Sequence, residues 1–238
     1  MNTLEKLKVY GIFNSIVYLF SELIYRLYFQ TIQHSYSQHH EDLVIEKLLK
    51  DSHSGFYVDV GAYDPVRFSN TKRFYDKGWN GINIEPDNQS YSKFVDERPK
   101  DINLNVGVGV SSEKLEYYKF STQTLSTFSK EEAQNYIKQG YKLEGTLLIE
   151  VLPLSEILKK HCSAKKISFF SIDTEGFDLK VLESNDWNLF RPELICIESA
   201  KHTIDSTGSR AQDIDTYLSQ IRYSKVYDNG LNSIYRSN

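Results

Sequence analysis

Asp59, Gly61, Glu85, Asp173 and Glu175 stand at the ends of short apolar runs, where side chains of their type can meet a ligand. In FYVDVGAYDP, Phe56 to Pro65, a buried-strand pattern ends in Asp59 and turns through Gly61 toward Asp64 and Pro65. An acid at the mouth of a parallel strand, beside a glycine that lets backbone approach a ligand, suits a nucleoside cofactor with a cationic group. An ordinary strand-to-helix turn looks the same locally, so the acids further along the chain must decide. The next apolar run, INIE, ends in Glu85 with Pro86 beside it. A carboxylate at that strand tip can accept hydrogen bonds from both hydroxyls of a ribose.

The first crossover lacks the glycines that would cradle a phosphate. Gly61 is followed by Ala62, Tyr63, Asp64 and Pro65, so there is no G-x-G-x-x-G, and no P-loop occurs. This argues against a dinucleotide-dependent dehydrogenase. S-adenosylmethionine has no phosphate, carries an ammonium and a sulfonium, and suits the field of Asp59. Asn105 and Gly107, at the end of a third run, can border its adenine, although an asparagine satisfied within a turn reads equally well there.

SIDTEGFD, Ser171 to Asp178, is the second dense cluster. Asp173 and Glu175 fall at the C-terminal end of a buried strand, the ligand edge of an open α/β sheet. Such carboxylates can take a proton from an acceptor hydroxyl, or hold a divalent cation that helps do so. A structural alternative has Glu175 capping the next helix while Asp173 orients the cofactor. Glu198, His202 and Asp205 follow the next strand, and His202 is the histidine best placed as a general base. His39 and His40 adjoin Glu41 and Asp42, but without metal-ligand spacing they are expected to be solvated.

The elements that must position these groups are legible in the pattern. Strand and helix signals alternate from about residue 41 to residue 222. The helices are expected over 41–50, 70–77, 86–97 (with Pro86 in its first turn), 131–139, 154–161, 177–184 and 213–222. INLNVGV is expected as one strand, LEYYKF as part of an inserted hairpin, and STQTLSTFS as a polar loop. YSKVYD and LNSIYR flank Asn229-Gly230, a hairpin signal. Repeated βα units closed by a hairpin predict a class I methyltransferase-like, Rossmann-like sheet. That sheet is seven-stranded and mostly parallel, with a C-terminal antiparallel hairpin and an added N-terminal helix. Residues 1–35 form that amphipathic segment, and residues 36–238 the catalytic domain.

Composition narrows the partners. At 238 residues with 25% charged and 40% hydrophobic content, the chain suits one α/β domain. A formal charge of −4 offers no field for nucleic acid. Cys162 and Cys196 have no partners at metal spacing, and a reducing, cytoplasmic setting is expected. Glu22 and Arg26 interrupt the apolar N-terminus, leaving Val9 to Ser21 too short to span a bilayer. That helix can cover the domain, join a homodimer, or lie peripherally on the inner membrane surface.

The ordered series YSQHHED, FYVDVGAYDP, SNTKRFYDKGWNGINIEP, RPKDINLNVGVG, LST, SIDTEG and RPELICIE, spanning Tyr36 to Ser199, resembles the FkbM family of S-adenosylmethionine-dependent methyltransferases. The resemblance implies that Asp59 and Gly61, with Ala62, form the methionine-side loop and that Glu85 binds the ribose. It implies that Gln38, Ser69 and Asn70 line the cofactor or the acceptor, and matches Asp173 and Glu175 to the family's Asp-x-Glu-Gly. Family members methylate hydroxyls of natural products and sugars, so an O-methyltransferase acting on a small-molecule or saccharide acceptor is expected. A sugar of surface-glycan biosynthesis is the first choice, and a polyketide, lipid or other small molecule the alternative.

Overall fold

The computed structural model describes residues 35–50, 53–162, 166–199 and 209–238. The expected N-terminal helix of residues 1–35 lies outside these, except for Ser35. Among the described residues no helix is long and apolar enough to cross a membrane.

The elements in chain order are α1 (Glu41–Leu49), β1 (Phe56–Val60), α2 (Lys72–Asp76), β2 (Asn80–Ile84), α3 (Asn88–Glu97), β3 (Ile102–Leu104), β4 (Gly107–Val108), β5 (Glu113–Phe120), α4 (Lys130–Lys138) and β6 (Leu143–Leu152). They continue with α5 (Leu154–His161), β7 (Phe169–Ile172), α6 (Asp178–Glu183), β8 (Leu194–Glu198), α7 (Ser209–Gln220), β9 (Tyr223–Asp228) and β10 (Asn232–Ser237). Seven strands form one sheet in the order β3-β2-β1-β7-β8-β10-β9. The first five run parallel, and β10 is antiparallel to both β8 and β9. The predicted mostly parallel sheet with its terminal hairpin is therefore present.

Both faces are covered, which is why β1, β7 and β8 read as continuous apolar runs. Alternate residues point opposite ways. Val58, Val60, Phe170, Ile172, Ile195 and Ile197 pack on one side with Leu154 and Leu158 of α5, Val181 and Leu182 of α6, and Leu218 of α7. Tyr57, Phe169, Leu194, Cys196 and Ile234 pack on the other with Ile45 of α1, Phe74 and Trp79. Asp59 and Ser171 belong by alternation to this second side.

INLNVGV departs from the single strand expected. Ile102–Leu104 pairs with β2, but Gly107–Val108 leaves to pair with β6 in a second, three-stranded sheet of order β4-β6-β5. The break falls at Asn105, whose side-chain amide donates to the carbonyls of Glu85 and Pro86 at 2.9 and 3.0 Å. Bonded to the β2 exit, Asn105 turns the chain away from the ladder. The helix at 70–77 begins only at Lys72, where the Ser69 hydroxyl accepts from the amides of Thr71 and Lys72 at 3.3 and 3.1 Å, and the Asn70 side-chain amide donates to the Ser171 hydroxyl at 3.1 Å. Pro86 precedes its helix rather than opening it, and Asp87 is the cap, accepting from the amides of Gln89 and Ser90 at 3.0 and 3.1 Å.

Candidate active site

The parallel strands deliver their C-terminal ends to one edge, where Glu85 follows β2, Asp59 lies within β1, Asp173 follows β7, and Glu198 ends β8. Antiparallel β10 brings Asn232 to the same edge, in register with Glu198. These residues line one cleft, roofed by the segment between β5 and α4 through Gln123, Thr124, Ser126, Thr127 and Phe128.

The exit of β1 is held by backbone packing. Gly61 has φ of 76°, and a Cβ there would lie 1.9 Å from the Asp173 carbonyl oxygen. The glycine expected to admit a ligand is thus required by the crossing of two strand exits. Asp59 is buried, and its Oδ2 accepts from the Thr71 hydroxyl at 2.7 Å. Burial pushes its carboxyl above the usual range, while the Thr71 hydrogen bond, the Arg98 charge and the Ser171 hydroxyl draw it back.

Glu85 is fixed by the backbone on both oxygens. Oε2 accepts from the Tyr63 amide and Oε1 from the Asp87 amide, each at 2.7 Å. Each oxygen keeps a further lone pair, so the group can still accept from a ligand. Burial pushes its carboxyl up to about 7, with the charges of Asp87 and Asp59 adding to that and the two amides opposing it.

Asp173, Glu175 and Glu198 bring carboxylate oxygens within 4.8 Å of one another, a set that can hold a divalent cation. Glu175 sits in the left-handed region at φ of 50°. It does not cap α6. The amides of Thr174 and Gly176 donate instead to Asp178, at 2.9 and 3.2 Å. The roof holds Glu175: Tyr136 of α4 donates its hydroxyl to Oε2 at 2.6 Å, and the Thr127 hydroxyl donates to the Glu175 carbonyl at 2.8 Å. Burial, then the charges of Glu198 and Asp173, pushes its carboxyl well above the usual range.

Of the residues expected to bind a cofactor, Gln38, Asp59, Gly61, Ala62, Asn70, Glu85, Pro86 and Asp173 line the cleft, as does Glu175. Ser69, Asn105 and Gly107 are not among its lining residues. Ser69 accepts from Arg98, and a Cβ on Gly107 would meet Phe128 at 2.5 Å. His202 lies outside the described residues. The paired histidines His39 and His40 are not simply solvated, for both are half-buried and His39 lines the cleft. Its neighbour Glu41 is buried and accepts from the side chains of Asn229 and Asn232 at 3.0 and 2.7 Å. Sequence reasoning misses His39, Glu41, Asp87, Asn232 and the roof as lining residues. Only the QHHED run and, for the roof, the LST motif signal any of them.

The lining is one-sided in charge. It includes Glu41, Asp59, Glu85, Asp87, Asp173, Glu175 and Glu198, and among the described residues no lysine or arginine. Such a lining fits a phosphate-free, cationic cofactor and disfavours polyanions.

The family description "Methyltransferase FkbM domain" matches residues 59–225. No curated protein matches the sequence. Among solved structures, the METTL16 MTase domain aligns at a TM-score of 0.47 and 10% identity, covering 84% of this chain and 67% of that one. A fibrillarin/Nop5p complex aligns at 0.43 and 12%, covering 81% and 78%. A human methyltransferase 10 domain containing protein aligns at 0.38 and 11%, covering 82% and 79%.

Proposed function

The chain belongs to the FkbM methyltransferase family, and from that premise we propose that it transfers a methyl group from S-adenosylmethionine to a hydroxyl of a neutral saccharide in surface-glycan assembly. The fold is the mostly parallel seven-stranded sheet of class I methyltransferases. When bound, the donor supplies an electrophilic methyl on a sulfonium. In this reading Asp59 accepts from the ammonium group of the donor, and Glu85 accepts from the ribose hydroxyls with the lone pairs its two amides leave free.

The acceptor enters over β7, β8 and β10. Asn70, Asn232 and Gln38 offer amide groups there, and Glu41 and Glu198 carboxylates, the polar set that polyhydroxylated ligands engage. Asp173 or Glu175 would take the hydroxyl proton as the new C–O bond forms and the methyl–sulfur bond breaks, the donor leaving as a neutral thioether. Glu175 is suited to this because burial and the charges of Glu198 and Asp173 raise its carboxyl, which makes its ionised form a stronger base. Tyr136 of α4 and Thr127 of the roof keep Glu175 aimed.

The observation that carries the choice of a neutral acceptor is the absence of lysine and arginine from the lining among the described residues. The test is methyl transfer from labelled donor to a panel of neutral glycans, glycosides and nucleotide-linked sugars. Neutral hydroxyl acceptors should be labelled in preference to nucleotide-linked ones. Labelling confined to the phosphorylated members would reject this reading.

A further inference from the structure

Arg98 is the largest wholly buried side chain among the described residues, and the proposed methyl transfer does not by itself call for it. It follows α3, in the sequence RPKD, where a solvated arginine would be ordinary. Instead its guanidinium runs beneath the loop that joins β1 to α2. Nε and Nη2 both donate to the Pro65 carbonyl, the former at 2.9 Å. Nη2 also donates to the Ser69 hydroxyl at 2.8 Å, and Nη1 to the Thr71 hydroxyl at 2.8 Å. Phe94 and Tyr75 present their rings 5.4 and 5.5 Å from the guanidinium carbon.

The bond to Thr71 gives this cation a role beyond packing. An oxygen that accepts from an arginine keeps its own proton free to give, and Thr71 gives it to Asp59 Oδ2 at 2.7 Å. Hydrogen bonds in such a chain polarise one another, most strongly where water is excluded. Thr71 is itself fully buried, so no solvent competes for either contact. The acidic partner nearest the guanidinium, Asp101, stands 3.9 Å away. That carboxylate already accepts from the Tyr57 hydroxyl, the Gly81 amide and the Asn83 amide at 2.7 to 2.9 Å. Arg98 is therefore directed as much toward the loop and Thr71 as toward Asp101.

We propose that Arg98 is a positioning residue of the donor site: through the Thr71 hydroxyl it orients the Asp59 carboxylate, and through Pro65 and Ser69 it holds the intervening loop in binding shape. This rests on Asp59 facing the donor, as in the proposed function. The charged and titratable groups around Asp59 are Arg98, Asp101, Glu85, Tyr57 and Cys196. Arg98 alone among these carries a positive charge. Its loss would leave Asp59 among acids, with burial already disfavouring its ionised form.

Thr71→Val removes the relay while keeping shape, and Thr71→Ser keeps the hydroxyl. Two readouts apply: calorimetry with S-adenosylhomocysteine, and carboxyl-carbon NMR of labelled aspartate. Thr71→Val should bind about tenfold more weakly, and its Asp59 should titrate about one pH unit higher. Thr71→Ser should restore both. If Thr71→Val folds, and neither affinity nor the Asp59 midpoint moves, the relay is overturned. Should Thr71→Val not fold, the wild-type protein decides: the Arg98 Nη resonances must titrate together with Asp59, and silence there overturns the proposal. Wild-type protein that fails to bind S-adenosylhomocysteine at all would instead reject the donor assignment.

Discussion

Gly61 and Asp173 meet so closely that a Cβ on the glycine would lie 1.9 Å from the aspartate's carbonyl oxygen. The contact ties the exits of β1 and β7, and the Asp173 amide donates to Val60 O at 3.0 Å beside it. In the proposed reading, the donor side and the proton-accepting side of the cleft therefore meet at this one junction.

Gly61→Ala should be severely destabilising. A left-handed backbone costs alanine about 1–2 kcal/mol, and the clash with backbone adds about 1–3 kcal/mol. The melting temperature should drop by roughly 4–20 °C. Gly78→Ala is the control. Gly78 is also left-handed, at φ of 86°, but a Cβ there meets nothing within 4 Å, so only the smaller conformational cost should appear. Equal losses for the two variants would show that the junction is not tight.

Glu85 should make donor binding depend on pH. Its carboxyl sits at about 7 in the free protein, raised from 4.5. A group raised in the folded state binds protons that the unfolded chain has released, so its contribution to stability falls as pH rises from about 4.5 through 7. Ribose hydroxyls donate to the ionised form, so binding should expel a proton below pH 7. The affinity for S-adenosylhomocysteine should fall about tenfold per pH unit as pH drops below that midpoint. Glu85→Gln should flatten this portion of the profile. A profile identical to wild type would remove Glu85 from the site.

Tyr136→Phe should separate turnover from donor binding. It deletes the hydroxyl that donates to Glu175 and leaves the ring in its edge contact with Phe120, at 5.7 Å between centroids. A lost hydrogen bond to a charged group costs about 1.5–3 kcal/mol. The effect should appear as a fall in kcat of about tenfold or more, since 1.36 kcal/mol is tenfold in rate. KM for the donor should stay near wild type, because the proposed reading assigns Glu175 to the acceptor hydroxyl rather than to the donor. Unchanged kcat would mean that Glu175 needs no such support.

Much of the fold was legible because strands buried on both faces must be apolar throughout. FYVDV and ELICIE announce themselves in this way, and Asn229-Gly230 marks its hairpin by turn chemistry. The split of INLNVGV was hidden, because a run of strand-forming residues says nothing about which sheet it joins. Only the bonds of Asn105 to Glu85 and Pro86 reveal the exit. The acids of the cleft could be placed at strand ends from periodicity. Glu41 could not, since its partners Asn229 and Asn232 lie at the far end of the chain and are brought to it by β10. Arg98 escaped for a related reason. A charged residue after a helix is ordinarily exposed, and its burial depends on a loop folding over it.

The one-sided lining of the cleft also bears on what happens after transfer. In the proposed reading, a sulfonium donor arrives with net positive charge, and the spent thioether has none. In that reading, walls bearing Asp59, Glu85, Asp173 and Glu198, in a cleft lined among the described residues by no lysine or arginine, grip the first more firmly than the second. Each turnover thus weakens the hold on its own by-product. Added salt, which screens such walls, should slow loading more than release.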